Sequence, residues 1–138
     1  DEFNIENHHQ VSASSYALAT ALHIRYDHVW QGESTTSVVP SVTREVAPDS
    51  LEQAQKIASA LEIWSDSMTA ADAAQASAEA LQRIYSNIGM PTRLRELNIP
   101  REQLPLLAQD TLKNFNANPG GRSADYAMQM QRLLEAAW

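Results

Sequence analysis

The sequence contains no cysteine, few glycines, few basic residues and no long apolar run. Without cysteine, the chain can form neither a disulfide framework nor a thiolate metal site, and it has no thiol nucleophile. Its four glycines form no phosphate-binding loop, and no serine lies in a Gly-x-Ser-x-Gly motif. These absences exclude a thiolate metal site, a cysteine nucleophile, a glycine-rich phosphate loop and a serine nucleophile of the Gly-x-Ser-x-Gly type.

The charge balance and hydropathy exclude two further classes. The chain has ten Lys and Arg residues and seventeen Asp and Glu residues, which gives a formal charge of −7. A nucleic-acid surface needs a basic face to neutralise phosphates, so we expect no nucleic acid as a partner. No apolar run approaches the roughly 20 residues that span a bilayer, and the first residues do not resemble a signal peptide. We therefore expect no membrane association and a cytoplasmic location.

The remaining composition is that of a globular protein. The chain has 138 residues, 43% of them hydrophobic and 20% charged, which suits one domain with a real core. Residues 1–12 are polar and mixed, and we expect an irregular lead-in there. Residues 13–138 predict a single helical domain. The fold class expected is all-α, a helical bundle of five to eight helices.

Apolar residues recur at helical spacing along most of the chain. Helices are expected at 11–24, 34–47, 51–61, 69–88 and 103–115, with a last helix after a turn-forming cluster at 116–121 and a cap at Ser123. Ser50 with Gln53 and Thr69 with Asp72 have the spacing of a capping box, which marks the starts of the third and fourth helices. The segment 34–47 contains Pro40 and many β-branched residues, so a strand stays open as an alternative there. The predicted inward residues include Leu18, Leu22, Leu51, Ala54, Ala74, Ala78, Ile84, Ile88, Met130 and Leu134.

The segment 88–107 predicts a corner around which the helices are arranged. Gly89 stands where a long helical pattern stops, and glycine tolerates the left-handed backbone that closes a helix. Thr92 can cap the next short helix, from which Leu94 and Leu97 are expected to point inward. The segment is therefore predicted as helix, corner, short helical turns, corner and helix.

Several runs resemble, in order, the iron-containing (group III) alcohol dehydrogenases and their maleylacetate reductase relatives. The first two are Ala-Leu-His-Ile-Arg-Tyr-Asp (21–27) and Gln-Gly-Glu-Ser-Thr-Thr-Ser-Val-Val-Pro-Ser-Val (31–42). The others are Leu-Arg-Glu-Leu-Asn-Ile (94–99), with Asn98 where the family usually has glycine, and the terminal Leu-Glu-Ala-Ala-Trp (134–138). Each run is short, but the ordered set covers most of the chain.

The resemblance implies a fold, cofactors and partners. Full members join a nucleotide-binding half to an all-helical, dehydroquinate-synthase-like half, and they use NAD(P) with Fe²⁺ or Zn²⁺. This chain matches the later part of the helical half, so the nucleotide-binding half is expected to be absent. Partners implied are a further copy of the chain in a homo-oligomer, or a separate nucleotide-binding half.

The resemblance also indicates where metal ligands should lie. Two family histidines fall on Thr20 and Gln31, and a third falls on Tyr16. Neutral threonine and glutamine oxygens bind a borderline divalent metal weakly, so we expect a degenerate site. His23 and His28 are either displaced ligands or ordinary helix-end and loop residues. No residue is assigned to catalysis or to cofactor binding.

Two functions remain open at the sequence level. The chain is either a helical domain without independent catalysis, or a portion of an NAD(P)-dependent, metal-assisted oxidoreductase acting on alcohols, aldehydes or maleylacetate. In the second case it becomes active only with its other half. For the chain alone, no bound cofactor is expected.

Overall fold

The computed structural model describes residues 10–113 and 124–138, and every regular element in these ranges is helical. This confirms the all-α prediction. The α-helices are α1 (Gln10–Arg25), α2 (Gln31–Val46), α3 (Leu51–Ala60), α4 (Ala70–Asn87), α5 (Leu104–Thr111) and α6 (Ala124–Ala137). Short 3₁₀ turns occupy Ala47–Asp49, Leu94–Leu97 and Arg101–Gln103.

The boundaries of several helices differ from their predicted positions. Helix α1 begins at Gln10, so the last three residues of the expected lead-in, 10–12, are helical. Helix α5 is shorter than the predicted 103–115, because a 3₁₀ turn precedes it and another turn follows Thr111. Residues 1–9, the turn predicted at 116–121 and the cap predicted at Ser123 lie outside the described residues.

Helix α2 lies at the centre of the domain, against α1, α4 and α6. It stays helical through Pro40, so the strand alternative is wrong. Many of its buried side chains are serine, threonine or valine, which are small enough to let neighbouring helices approach closely. Most of the serine and threonine hydroxyls donate within the helix, as when Thr43 donates to the carbonyl of Val39 at 2.7 Å. Ser41 instead donates to the carbonyl of Ala136 on α6 at 3.3 Å.

Helix α2 starts three residues before its predicted start at Ser34. The carboxylate of Glu33 accepts a hydrogen bond from the backbone N–H of Trp30 at 3.2 Å, which closes the first helical turn. Gln31 and Gly32 consequently belong to the helix and not to the preceding loop. This places Gln31 at the N-terminal end of α2, beside the end of α1.

Two predicted caps of the middle helices are present. Thr69 and Asp72 form a reciprocal capping box at the start of α4, with both hydrogen bonds at 3.1 Å. Ser50 accepts from the backbone N–H of Gln53 at 3.3 Å at the start of α3. The side chain of Gln53 instead accepts from the N–H of Val11 at 2.9 Å, which joins α3 to α1.

The core is formed mostly by the predicted inward faces. Its largest fully buried side chains include Leu18, Leu22, Val38, Val42, Leu94, Leu104, Leu107, Met130 and Leu134. Three predicted inward residues are exposed, namely Leu51 at 54%, Ile84 at 48% and Ile88 at 69%. Helix α4 makes its close contacts through buried alanines, including Ala74 and Ala78. The face of α4 that packs against its neighbours is therefore narrower than the face on which its apolar residues lie.

The corner segment is built as predicted, apart from its cap. Gly89 has a φ of 79°, and the N–H of Met90 donates to the carbonyl of Tyr85 at 2.9 Å to close α4. Leu94 and Leu97 are buried. The residue that precedes their 3₁₀ turn is Arg93, so Thr92 does not cap it.

The corner is tied to the end of α6 through Trp138. The indole N–H of Trp138 donates to the carbonyl of Ile99 at 2.9 Å, and its own carbonyl accepts from Nε of Arg95 at 2.7 Å. The guanidinium groups of Arg95 and Arg101 lie 5.0 Å and 5.4 Å from the indole ring centre. These contacts fix α6 to the corner. None of the described helices has the length and apolarity needed to cross a membrane.

Candidate functional site

The loop between α1 and α2 is held by contacts on both sides, and this positions the two helix ends that form the site. The hydroxyl of Tyr26 donates to the side-chain oxygen of Gln103, and burial raises the pKa of Tyr26 against an opposing effect of Arg25. Nε2 of His28 lies 2.8 Å from the carbonyl oxygen of Leu97. The loop is therefore anchored to the corner segment.

A polar groove of about 250 Å³ runs along the junction of α1 and α2. Residues three or four apart share one face of a helix, and this spacing brings side chains from three turns of α1 into the groove. Its described lining is Ser12, Ser15, Tyr16, Ala19, Thr20 and His23 from α1, with Gln31 and Thr35 from α2.

The groove carries hydroxyl, amide and imidazole groups, and no carboxylate is among its described lining residues. Thr35 is oriented by its own helix, because its hydroxyl donates to the carbonyl of Gln31 at 2.9 Å. The hydroxyl oxygen of Ser15 is buried and has no hydrogen-bond partner. The side chains that line the groove are consequently nearly neutral and rich in groups that both donate and accept hydrogen bonds.

The residues singled out in the sequence are only partly brought together. Tyr16, Thr20 and Gln31 line the same groove, and His23 lies beside them. His28 is not among the lining residues, since it faces the carbonyl of Leu97. A carbonyl oxygen only accepts hydrogen bonds, so Nε2 of His28 carries the proton in that contact.

The chemistry of the donor set does not fit the metal that the resemblance implies. Zinc sites use thiolate, imidazole or carboxylate ligands, and catalytic ones keep three protein ligands. His23 supplies one imidazole, while Thr20 and Gln31 supply neutral oxygens that such metals bind weakly. In the described residues, no three histidine, aspartate or glutamate side chains are grouped so as to hold a metal ion.

Sequence reasoning missed three of the groove's polar residues. Ser12 lies four residues before Tyr16, and Thr35 lies four residues after Gln31, so helical spacing could have identified both. Ser15 lacked such a signal, because its burial depends on how α1 packs against its neighbours. Glu33 lies two residues after Gln31, but its carboxylate caps the start of α2 and is not among the described lining residues.

The described fold and groove define a small all-helical domain with a polar site at the junction of its first two helices. The sequence model of the "Fe-containing alcohol dehydrogenase family, C-terminal" matches residues 7–138. The chain belongs to this family. The resemblance stated from the sequence is thereby confirmed at the level of the family and its helical domain.

A similar curated protein is 1,3-propanediol dehydrogenase from Citrobacter freundii. The two are 29% identical over 102 residues, which cover 74% of this chain and 26% of the relative. The chain therefore matches about a quarter of the length of that relative. Membership supports an oxidoreductase ancestry for this chain.

Proposed function

We propose that this chain is a helical domain of the Fe-containing alcohol dehydrogenase family that has no metal-assisted alcohol chemistry of its own. One observation carries the proposal. The positions at which the resemblance places metal-binding histidines, Thr20 and Gln31, line one groove together with Tyr16. This placement supports the proposal that the arrangement of a family site is kept while its metal-binding side chains are replaced.

The physical argument concerns what a metal would do at this position. In metal-assisted oxidoreductases, a divalent ion polarises the substrate oxygen as a Lewis acid while a nicotinamide cofactor carries the hydride. The lining of the groove offers a single imidazole and neutral oxygens, which favour hydrogen bonding to a neutral ligand over coordination of a cation. We accordingly propose that the chain alone holds neither a transition metal nor NAD(P).

The proposal extends to where and with what the chain works. We infer a cytoplasmic protein that acts as a homo-oligomer or beside a separate nucleotide-binding half. Trp30 supports the presence of a partner, because it exposes 76% of its surface immediately before α2, one of the two helices that form the groove. Large apolar side chains left in water often mark a surface that another protein covers.

An activity assay on the purified chain tests the proposal. The chain is supplied with Fe²⁺ or Zn²⁺, NADH or NADPH and a small aldehyde, and oxidation of the cofactor is followed. We expect no rate above a blank containing metal and cofactor alone, while a metal-dependent member of the family serves as the positive control. A metal-dependent rate that Gln31→Ala abolishes would contradict the proposal.

The second candidate is a portion of an active oxidoreductase that needs its other half. The family match over residues 7–138 and the similarity to 1,3-propanediol dehydrogenase favour it. Co-expression with a nucleotide-binding half of the family separates the two candidates. Aldehyde reduction by the mixture, absent from either part alone, would favour this second function.

A further inference from the structure

A second cavity lies on the other side of α1, between this helix and α5. It is open and has a volume of about 580 Å³, within the range of roughly 300–1,000 Å³ that is usual for small-molecule sites. Thr20 borders both this cavity and the polar groove. The proposed function does not use the cavity.

One side of the cavity is apolar. Ala17, Ala21 and Ile24 line it at spacings of four and three residues, which places them on one face of α1. The two alanines are buried, whereas Ile24 is 70% exposed. Covering an exposed isoleucine with hydrocarbon is favourable, because it removes apolar surface from water. This side suits an alkyl chain.

Among its described lining residues, the cavity has two cations and one carboxylate at its rim. Nε of Arg25 lies 2.7 Å from one carboxylate oxygen of Asp110, and Nζ of Lys113 lies 3.6 Å from the other. Two cations thus share a single carboxylate. The contact of Arg25 uses only Nε, and its terminal nitrogens have no hydrogen-bond partner among the described residues.

These free donors have a geometry that suits one class of ligand. The terminal nitrogens of a guanidinium group form a planar fork that matches the two oxygens of a carboxylate. The side chain of Lys113 is 81% exposed, so its ammonium group can turn toward a second anion. The whole chain carries a formal charge of −7, so these two cations stand against the sign of the overall charge.

We propose that the cavity between α1 and α5 binds a small amphiphilic carboxylate, such as a short fatty acid. The alkyl chain lies against Ala17, Ala21 and Ile24, and the carboxylate accepts hydrogen bonds from Arg25 and Lys113. This inference is independent of the proposed function, because it involves neither a metal nor a nucleotide.

Titration followed by NMR of the full chain tests the binding. Hexanoate, hexanol and acetate are added in turn, and the methyl signals of Ala17, Ala21 and Ile24 are followed. We expect saturable shifts with hexanoate and an affinity about tenfold higher than for hexanol, as a charge-assisted hydrogen bond provides. Acetate should bind more weakly than hexanoate because it lacks the alkyl chain.

Three variants separate recognition of the ligand's carboxylate from recognition of its alkyl chain. Lys113→Gln should lower the affinity for hexanoate about threefold, which is the scale of an exposed ion pair. It should leave the affinity for hexanol unchanged. Ile24→Ser should lower the affinities for both hexanoate and hexanol. Lys56→Gln, which removes one exposed positive charge from α3 outside the cavity, is the matched control and should change neither affinity.

Several results would overturn the inference. Hexanoate that produces no saturable shift, or shifts located away from the cavity, would show that the cavity is not its site. Equal affinities for hexanoate and hexanol would show that the carboxylate does not contribute to binding. If Lys56→Gln weakened hexanoate as much as Lys113→Gln, the effect would reflect total charge and not the rim.

Discussion

Asn98 occupies left-handed backbone, with a φ of 58°, at a position where the resemblance places glycine. Side chains other than glycine are strained there, although asparagine tolerates this region better than most residues. The substitution therefore keeps the turn after Leu97 at a small cost. It is a local example of how the chain departs from its family without changing the fold.

The strain at Asn98 makes a prediction about stability. Asn98→Ala should lower the free energy of unfolding by about 1 kcal/mol, whereas Asn98→Gly should leave it unchanged or raise it slightly. Denaturant unfolding of the two variants measures the difference. Glu62 also has a positive φ, of 61°, so Glu62→Gly is a second test and should stabilise. Equal stabilities for Asn98→Ala and Asn98→Gly would contradict this account.

The groove residues allow a gain of function to be tested at single positions. Thr20→His combined with Gln31→His would give the groove three imidazoles together with His23, the number found in many zinc sites. We expect the double variant to bind Zn²⁺ at least about tenfold more tightly than the unmodified chain. Calorimetric titration measures the change.

The control for this gain adds two histidines elsewhere. Ala13→His combined with Gln55→His places them at exposed positions on different helices, outside the groove. This pair should leave Zn²⁺ affinity near that of the unmodified chain. If both double variants gained the same affinity, the geometry of the groove would not explain it.

Helical spacing predicted individual buried residues well where two helices cross and poorly elsewhere. Leu18, Leu22, Met130 and Leu134 are buried as predicted, since each faces a neighbouring helix. Ile88 was predicted to be inward and is 69% exposed, because the pattern of one helix does not reveal where its packing partner ends. The ion pair of Arg25 with Asp110 joins residues 85 apart and gave no signal in the sequence.

Among the elements, the corner segment has the clearest consequence for stability. Leu94 is 0% exposed and Leu97 is 6% exposed. Leu94→Ala and Leu97→Ala should each lower the free energy of unfolding by about 2–5 kcal/mol, because each leaves a cavity in the core. Denaturant midpoints with an unchanged slope measure the loss.

The chain offers a matched leucine for comparison. Leu106 lies on α5 and is 51% exposed, so Leu106→Ala should cost far less than either corner substitution. If Leu94→Ala and Leu97→Ala moved the midpoint no more than Leu106→Ala, the corner would not be part of the core.

The boundaries of the elements show which local signals were sufficient. Thr69 and Asp72 identified the start of α4, since a capping box acts through neighbours in sequence. The start of α2 was missed because Trp30 is an unusual N-cap residue and Glu33 supplies the hydrogen bond instead. Pro40 did not end that helix, which is held by α1, α4 and α6 on its sides.

At the scale of the whole molecule, the exposed apolar residues predict self-association. Trp30 and Ile88 expose 76% and 69% of their surfaces, and the start of α2 meets the end of α4 where Met90 lies against Gly32. Burial stabilises at roughly 25 cal/mol per Å², so a few hundred Å² would favour a dimer. Sedimentation equilibrium at micromolar concentration should show association.

Variants locate the surface involved in this association. Trp30→Ser and Ile88→Ser should each weaken association, while Leu51→Ser, at a comparably exposed leucine on α3, should not. A chain that stays monomeric across the micromolar range would rule out the predicted association. A loss caused equally by Leu51→Ser would place the contact elsewhere.

The family and the all-α fold could be predicted from ordered runs of sequence, because these runs contain the corner and the helix ends that determine the packing. The site was predicted only in part. Thr20 and Gln31 were identified by resemblance, whereas Ser15 and the cavity beside α5 depend on how separate helices meet. A sequence pattern describes one helix at a time, so sites formed between helices remained hidden.

Elemental analysis of the purified chain tests the central proposal most directly. The chain is incubated with Fe²⁺ or Zn²⁺, dialysed and analysed for bound metal. The donors of Tyr16, Thr20 and Gln31 predict far less than one metal ion per chain, because neutral oxygens and one imidazole do not close a coordination shell. Roughly one iron or zinc ion per chain, retained through dialysis, would contradict the proposal and point to His23 as a ligand.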